Sequence, residues 1–293
     1  MPGRFVYRRC YACRSVYQDP RVVSEDLPLC YPEQYYTHET PLDPLPAPAS
    51  RLRQWLRREV IGWLEDDPIP RVLEMILAMR LRPPSLGATP RALDVGCGRG
   101  EVLRLLARKG FEAHGIEWDA RAAEIARRET GRPVDVGDFR TGLLPKAAFD
   151  LVLLHHVLEH LDAPRSALAR AAELISPAGV VLLVWPNPRS LGARLFGANW
   201  FHWDPPRHLV LPTASALAQA AREVGLRVLP AEPPVGSIAR LAQLDSRNSR
   251  AYRRGQHPAE TPPSRVDQLF AAVERVLVGR GLGKEALLLL RKG

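Results

Sequence analysis

From Arg91 onward, short apolar runs alternate with amphipathic stretches of helical period, and this alternation restricts the fold more than any other feature of the chain. "RALDVG" (91–96), "FEAHGIEW" (111–118) and "PVDVGD" (133–138) read as strands. Between them, "GEVLRLLARKG" (100–110) is a helix stopped by Gly110, and "DARAAEIARRETG" (119–131) a helix N-capped by Asp119. "FDLVLLHH" (149–156) and "GVVLLVW" (179–185) are almost continuously apolar, as strands covered on both faces must be. A helix at about Arg165–Leu174 links that pair. A helix at 213–225, a strand "LRVLPAE" (226–232) and a last strand "EALLLLRK" (285–292) follow. Strands separated by helices predict an α/β, Rossmann-like sheet with helices on both faces.

Upstream the composition changes twice. Residues 1–40 are rich in Tyr, Arg and Cys. Residues 41–88 hold a proline-rich linker, "TPLDPLPAPAS" (40–50), and two helical patterns at 51–64 and 70–81. The net charge of +9 suits an anionic partner, but only Lys109, Lys146, Lys284 and Lys292 among the 41 basic residues are lysines. Arginine is spread from end to end, which reads as coding bias rather than a nucleic-acid patch. No apolar run approaches the roughly 18 residues of a membrane span, and "MPGRFVYRRCYACRS" lacks a signal-peptide core. A cytoplasmic protein is therefore the expectation. Its four cysteines do not form a secreted disulfide pattern.

"LDVGCGRGE" (93–101) sits between the first strand and first helix, where a nucleotide-type ligand belongs. Gly96, Gly98 and Gly100 give G-x-G-x-G, whereas the dinucleotide fingerprint would need glycine where Glu101 stands. Asp94 and Glu101 flank the turn, so a pyrophosphate would meet two carboxylates and a nicotinamide dehydrogenase is disfavoured. A cationic ligand without phosphate, such as S-adenosylmethionine, would be favoured. Glu117 ends the second strand, where a carboxylate accepts ribose hydroxyls. Asp138 ends the third and can accept from an adenine amino group. Trp118 and Phe139 stand beside them to offer ring faces or edges.

The segments "LDVGCGRGEVL", "GIEWD", "VGDF", "FDLVLLHHVLEHLDAP" and "SPAGVVLLVWPNP" resemble the successive motifs of class I S-adenosylmethionine-dependent methyltransferases. The branch they resemble most includes ubiquinone-type O-methyltransferases and methyltransferases of bacterial sugar and polysaccharide pathways. The resemblance implies a seven-stranded sheet, mostly parallel with an antiparallel last strand, in a domain at 89–293 with an insertion at about 233–283. It implies that Asp94, Gly96 and Gly98 line the methionine part of the cofactor, Glu117 the ribose, and Asp138 with Phe139 the adenine. His155 would approach the methionine by its backbone. The expected activity is methyl transfer to a small-molecule or sugar-linked acceptor. A protein that binds the cofactor without catalysis, and an RNA or DNA methyltransferase, are the alternatives.

A hydroxyl acceptor needs a base, for which histidine is the usual choice. In "HHVLEH", His156 and His160 are four apart, on one face if the segment is helical, and are the catalytic candidates. Their order with Glu159 also matches the inverted zincin spacing, which would require a helix already formed at His156. Cys10-x-x-Cys13 is half of a zinc knuckle that Cys30 and His38 could complete by spacing. A reduced thiol pair is the favoured reading over bound zinc. "WFHWDPPRHLVL" (200–211) contains an acid followed by two prolines, as amino-methylases of nucleobases do. It lies after the fifth strand, however, while their motif ends the fourth. It is expected instead to form a lid over the acceptor, with His202, Arg207 and His208 facing the pocket. The sequence does not set the oligomeric state.

Overall fold

The computed structural model describes residues 5–31, 89–230, 246–251, 254, 264, 265, 267 and 285–293. The linker, the two helical patterns at 51–64 and 70–81, His38 and most of the 233–283 insertion lie outside the described residues.

Within them, β1 (Tyr7–Arg9) and β2 (Val16–Gln18) form a hairpin. The main sheet contains β3 (Arg91–Val95), β4 (Glu112–Glu117), β5 (Val134–Val136), β6 (Phe149–His155), β7 (Ile175–Pro186), β9 (Leu226–Leu229) and β10 (Glu285–Lys292). Its order is β5-β4-β3-β6-β7-β10-β9. The first five strands are parallel, and β10 runs antiparallel to both β7 and β9. This is the seven-stranded, mostly parallel Rossmann-like sheet with an antiparallel last strand that the motif order implied.

Both faces are covered because the apolar runs fill both. From β6, Val152 and Leu154 enter one core with Leu93, Val95, Leu183 and Trp185. That face is closed by Ala167, Leu168 and Ala171 of α3 (Pro164–Leu174) and by Leu217 and Ala221 of α5 (Ala214–Glu223). Leu151 and Leu153 enter the other core with Ala92, Ala113, Val180 and Leu182. There Leu103 and Leu106 of α1 (Glu101–Arg108) pack beside Ala123 and Ala126 of α2 (Ala120–Thr130). Each fully buried leucine contributes about 1.5–3 kcal/mol of burial. Asp119 caps α2 as the sequence indicates, accepting from the backbone N–H groups of Arg121 and Ala122. β7 begins earlier than its apolar run, at Ile175. The pairing with β6 shifts register there, and a Cβ on Gly179 would stand 2.7 Å from the Phe149 carbonyl.

The N-terminal hairpin is built into the domain. β2 pairs with β8 (Val210–Leu211), the end of the tryptophan-rich stretch, to make a second, three-stranded sheet. Val16, Trp200 and Leu211 are buried there with Ala193 of α4 (Leu191–Phe196). The Tyr7 hydroxyl lies 2.5 Å from the Trp203 carbonyl and 2.9 Å from that of His208. Thr213 donates to the Cys13 carbonyl through its hydroxyl, and its backbone N–H donates to Ser15 Oγ. Tyr7→Phe removes the single hydroxyl donor that these two carbonyls share. It should therefore destabilise the protein by about 1–3 kcal/mol in urea unfolding; an unchanged midpoint would show that the hydroxyl does not hold the hairpin.

Candidate active site

The carboxyl ends of β5, β4, β3 and β6 lie side by side at one edge of the sheet. The connections diverge there, to β4 and β5 on one side of β3 and to β7 beyond β6, which makes this edge the topological switch point. The loop after β3 takes its shape from three glycines in left-handed conformation: Gly96 at φ 65°, Gly98 at 52° and Gly100 at 91°. Gly96 and Gly100 are also packed, since an added Cβ would stand 2.8 Å from Val157 Cγ2 or 2.6 Å from Thr130 Cγ2 respectively. Gly98 differs. A Cβ there would meet nothing within 4 Å, so the loop presents bare backbone to open space.

Two carboxylates back this loop. Asp94, 2% exposed, is the penultimate residue of β3, and Glu117, 5% exposed, ends β4. Glu117 Oε2 accepts from Gly98 N at 2.8 Å and Oε1 from Asp119 N at 3.1 Å, so one side chain ties the glycine loop to the start of α2. Trp118 beside it is 46% exposed. Asp138 accepts from both the backbone and the guanidinium of Arg140, and Arg140 reaches Asp162 Oδ1 at 2.6 Å. Burial would raise the Asp138 pKa, but the Arg140 hydrogen bonds outweigh it and hold the carboxyl below its ordinary value. An adenine amino group would thus share Asp138 with Arg140. Phe139 departs from expectation: its ring is buried with Ile116 and Leu144, so it supports the floor from beneath and offers no free face.

After β6 the chain does not continue as a helix. His156 is left-handed, φ 54°, and a short 3-10 turn follows at Leu158–His160. His156 and His160 therefore do not share a helical face, which removes the geometry of the inverted zincin reading. The His156 ring lies between two carboxylates, with Nδ1 3.0 Å from Glu159 Oε1 and Nε2 3.2 Å from Glu285 Oε1. Desolvation alone would lower its pKa. The two acids prevail and favour the imidazolium, while Glu159 is held ionised in turn. Neither ring nitrogen is open to take a proton from an acceptor, contrary to the role expected for this residue. His160 stays neutral, its pKa pushed down to about 4 chiefly by burial. Its Nδ1 lies 2.9 Å from the Tyr31 hydroxyl, and its ring packs edge-on against His208. His155 is the last residue of β6, in register with Val184.

The stretch from Trp200 to Leu211 is a packed corner rather than an open lid. Trp200, His202 and His208 are buried. Arg207 is paired with Asp204 through both Nε and Nη2, and His208 Nδ1 lies 2.8 Å from the His202 carbonyl. The Phe201 N–H donates to Ser249 Oγ, which ties the corner to the insertion. The three residues expected to face an acceptor are thus engaged with the protein. Among the described residues, Cys30 does not join Cys10 and Cys13 in a ligand cluster; its thiol points to the Asp26 carbonyl.

A family profile described as "Methyltransferase domain" matches residues 49–231, more than half of the chain. The chain belongs to that methyltransferase-domain family. A ubiquinone biosynthesis O-methyltransferase of Thiobacillus denitrificans is 31% identical over 181 residues, covering 56% of this chain and 77% of that protein. One from Bordetella avium is 32% identical over 152 residues, covering 46% and 61%. The chain spans about half to three fifths of the length of several such relatives. The fold also matches a crystal structure of a protein from Galdieria sulphuraria, provisionally assigned as a sarcosine dimethylglycine methyltransferase. There the TM-score is 0.54 at 16% identity, over 77% of this chain and 85% of that one.

Asp94, Gly96, Gly98, Glu117, Trp118, Asp138 and His155, the residues expected to line a cofactor, all lie at or just beyond the carboxyl ends of β3, β4, β5 and β6. Two residues there escaped notice. Tyr31 packs its ring 5.3 Å from that of Trp118 while its hydroxyl reaches His160; its only signal was its place at the head of "YPEQYYTHE". Glu285 reaches His156 because β10 pairs it with Pro186, a register that depends on a connection of more than fifty residues. Alanine at Gly96 adds a clash with Val157 to the left-handed penalty of about 1–2 kcal/mol, whereas at Gly98 it adds the penalty alone. Thermal unfolding should show Gly96→Ala as the less stable variant, and equal losses would contradict the loop geometry.

Proposed function

We propose that the chain transfers the methyl group of S-adenosylmethionine to an oxygen of a small-molecule acceptor. The observation that carries this reading is the pairing of a bare glycine backbone at Gly98 with the buried carboxylates of Asp94 and Glu117 at adjacent strand ends. That donor set fits the cofactor. Asp94 would attract its ammonium and sulfonium charges, and Glu117 would accept the ribose hydroxyls while holding Gly98 in place. Trp118, with Tyr31 against it, would flank the adenine, and Asp138 its amino group. The His155 backbone would border the methionine part. The acid-flanked loop repels a pyrophosphate, which supports this ligand over a dinucleotide.

The cofactor supplies a methyl group on a sulfonium, already a good leaving group. The protein's task is chiefly alignment, for which about 7–11 kcal/mol is available from proximity and orientation. In this reading His156 is a positioning residue, fixing Glu159 to the loop after β6. His160, with His202, Arg207 and His208 behind it, shapes the acceptor side. The oxygen acceptor rests on likeness to relatives named as O-methyltransferases.

Isothermal titration with S-adenosylmethionine should give one site per chain, and Asp94→Asn should weaken it at least tenfold, about 1.4 kcal/mol. Unchanged affinity in that variant would reject the assignment. Turnover is expected on a panel of hydroxyl-bearing metabolites. Cofactor binding without a methylated product from any of them would leave a binding protein instead.

A further inference from the structure

Glu159, His160 and His208 converge from two loops, one following β6 and one preceding β8. One carboxylate oxygen or ring nitrogen from each lies within 4.8 Å of the other two. Glu159 is fully buried. Its Oε1 is engaged by His156, whereas its Oε2 is enclosed without a hydrogen-bond partner. Leaving such an acceptor unsatisfied is costly, the more so when it is charged. Proteins rarely retain that cost unless something else meets the atom.

The hydrogen bonds of the two histidines leave a ring nitrogen of each available. His208 Nδ1 is 2.8 Å from the carbonyl of His202, which can only accept, so Nδ1 carries a proton and the neutral ring keeps its lone pair on Nε2. His160 Nδ1 is taken by the Tyr31 hydroxyl, which leaves Nε2 for another partner. A carbonyl behind one imidazole, a hydroxyl behind another and an imidazole behind the carboxylate are the outer contacts that orient metal ligands.

We propose that Glu159, His160 and His208 bind a divalent transition-metal ion of the zinc class. Two imidazoles and one carboxylate are borderline donors that suit zinc better than magnesium or calcium, which prefer oxygen ligands throughout. Tetrahedral ligands about 2.1 Å from zinc stand about 3.4 Å apart, so side-chain adjustments of roughly 1 Å close this set. Asp204 Oδ2, 3.8 Å from His208 Nε2, adds negative charge beside the set. The ion would cross-link the loop after β6 to the corner at 200–211 and, through Tyr31, to the N-terminal segment. This ligand set differs from the His156–Glu159–His160 pattern that the left-handed His156 excludes. It also differs from the Cys10–Cys13 pair, and it does not depend on the methyl-donor reading.

The test uses untagged full-length protein stripped with a chelator, then titrated with Co²⁺ by visible absorption and with Zn²⁺ by calorimetry. The expected result is one Co²⁺ per chain with d–d bands and no thiolate-to-cobalt charge-transfer band, displaced by Zn²⁺. Glu159→Gln and His208→Gln should each weaken Zn²⁺ binding at least tenfold, while a Cys10→Ser/Cys13→Ser double variant keeps it. The proposal is overturned if the wild-type protein takes up no Co²⁺, or if its only site shows the thiolate band and vanishes with the cysteines. Wild-type affinity in both folded ligand variants, checked by circular dichroism, would overturn it equally. Should a ligand variant fail to fold, the wild-type cobalt spectrum decides.

Discussion

Four adjacent parallel strands, β5, β4, β3 and β6, end at a single edge of the sheet, and the polar chemistry of this chain is assembled on that edge. The constraint is burial. Because β6 and β7 are apolar on both faces, charged groups placed along them would have no route to water. Asp94 and Glu117 stand where β3 and β4 stop and Asp138 just beyond β5, so the three acids share one rim. Glu117 shows how closely fold and site are joined. The same carboxylate that fixes the glycine loop through Gly98 is the one proposed to receive a ribose.

A second layer of organisation comes from the N-terminal segment. Its hairpin is completed by β8, so residues far apart in the chain meet behind the loop that follows β6. Tyr7 anchors the corner at 200–211, and Tyr31 touches both Trp118 and His160. Tyr31 of this segment therefore contributes to the walls of the candidate site. The polar groups behind that wall are consistently coupled: His156 to Glu159 and Glu285, His208 to the His202 carbonyl, Arg207 to Asp204. Such networks hold a geometry more firmly than single contacts do.

The sheet was legible because its signals are local and redundant. Period, glycine loop, capping Asp119 and apolar runs each point to the same element order, and five motifs in sequence implied the strand arrangement. The position of the acidic rim was legible for the same reason, since strand ends can be read from the strands. Side-chain roles after β6 were not. A helical spacing of His156 and His160 was a fair inference from four residues, but His156 is left-handed and its ring is paired with Glu285, which arrives from far along the chain. The aromatic and basic residues at 200–211 suggested exposure by composition, whereas the hairpin that buries them lies nearly two hundred residues away. Phe139 was misjudged on a finer scale. Being next to a strand end does not determine whether a ring faces the ligand or the core.

The central claim is that the rim at Asp94, Gly98 and Glu117 holds S-adenosylmethionine. A crystal structure of the full chain soaked with S-adenosylhomocysteine tests it most directly. The account predicts ribose hydroxyls within hydrogen-bonding distance of the Glu117 carboxylate and the amino-acid end of the ligand beside Asp94 and the Gly98 backbone. Ligand density elsewhere on the sheet, or a ribose that leaves Glu117 untouched, would contradict it.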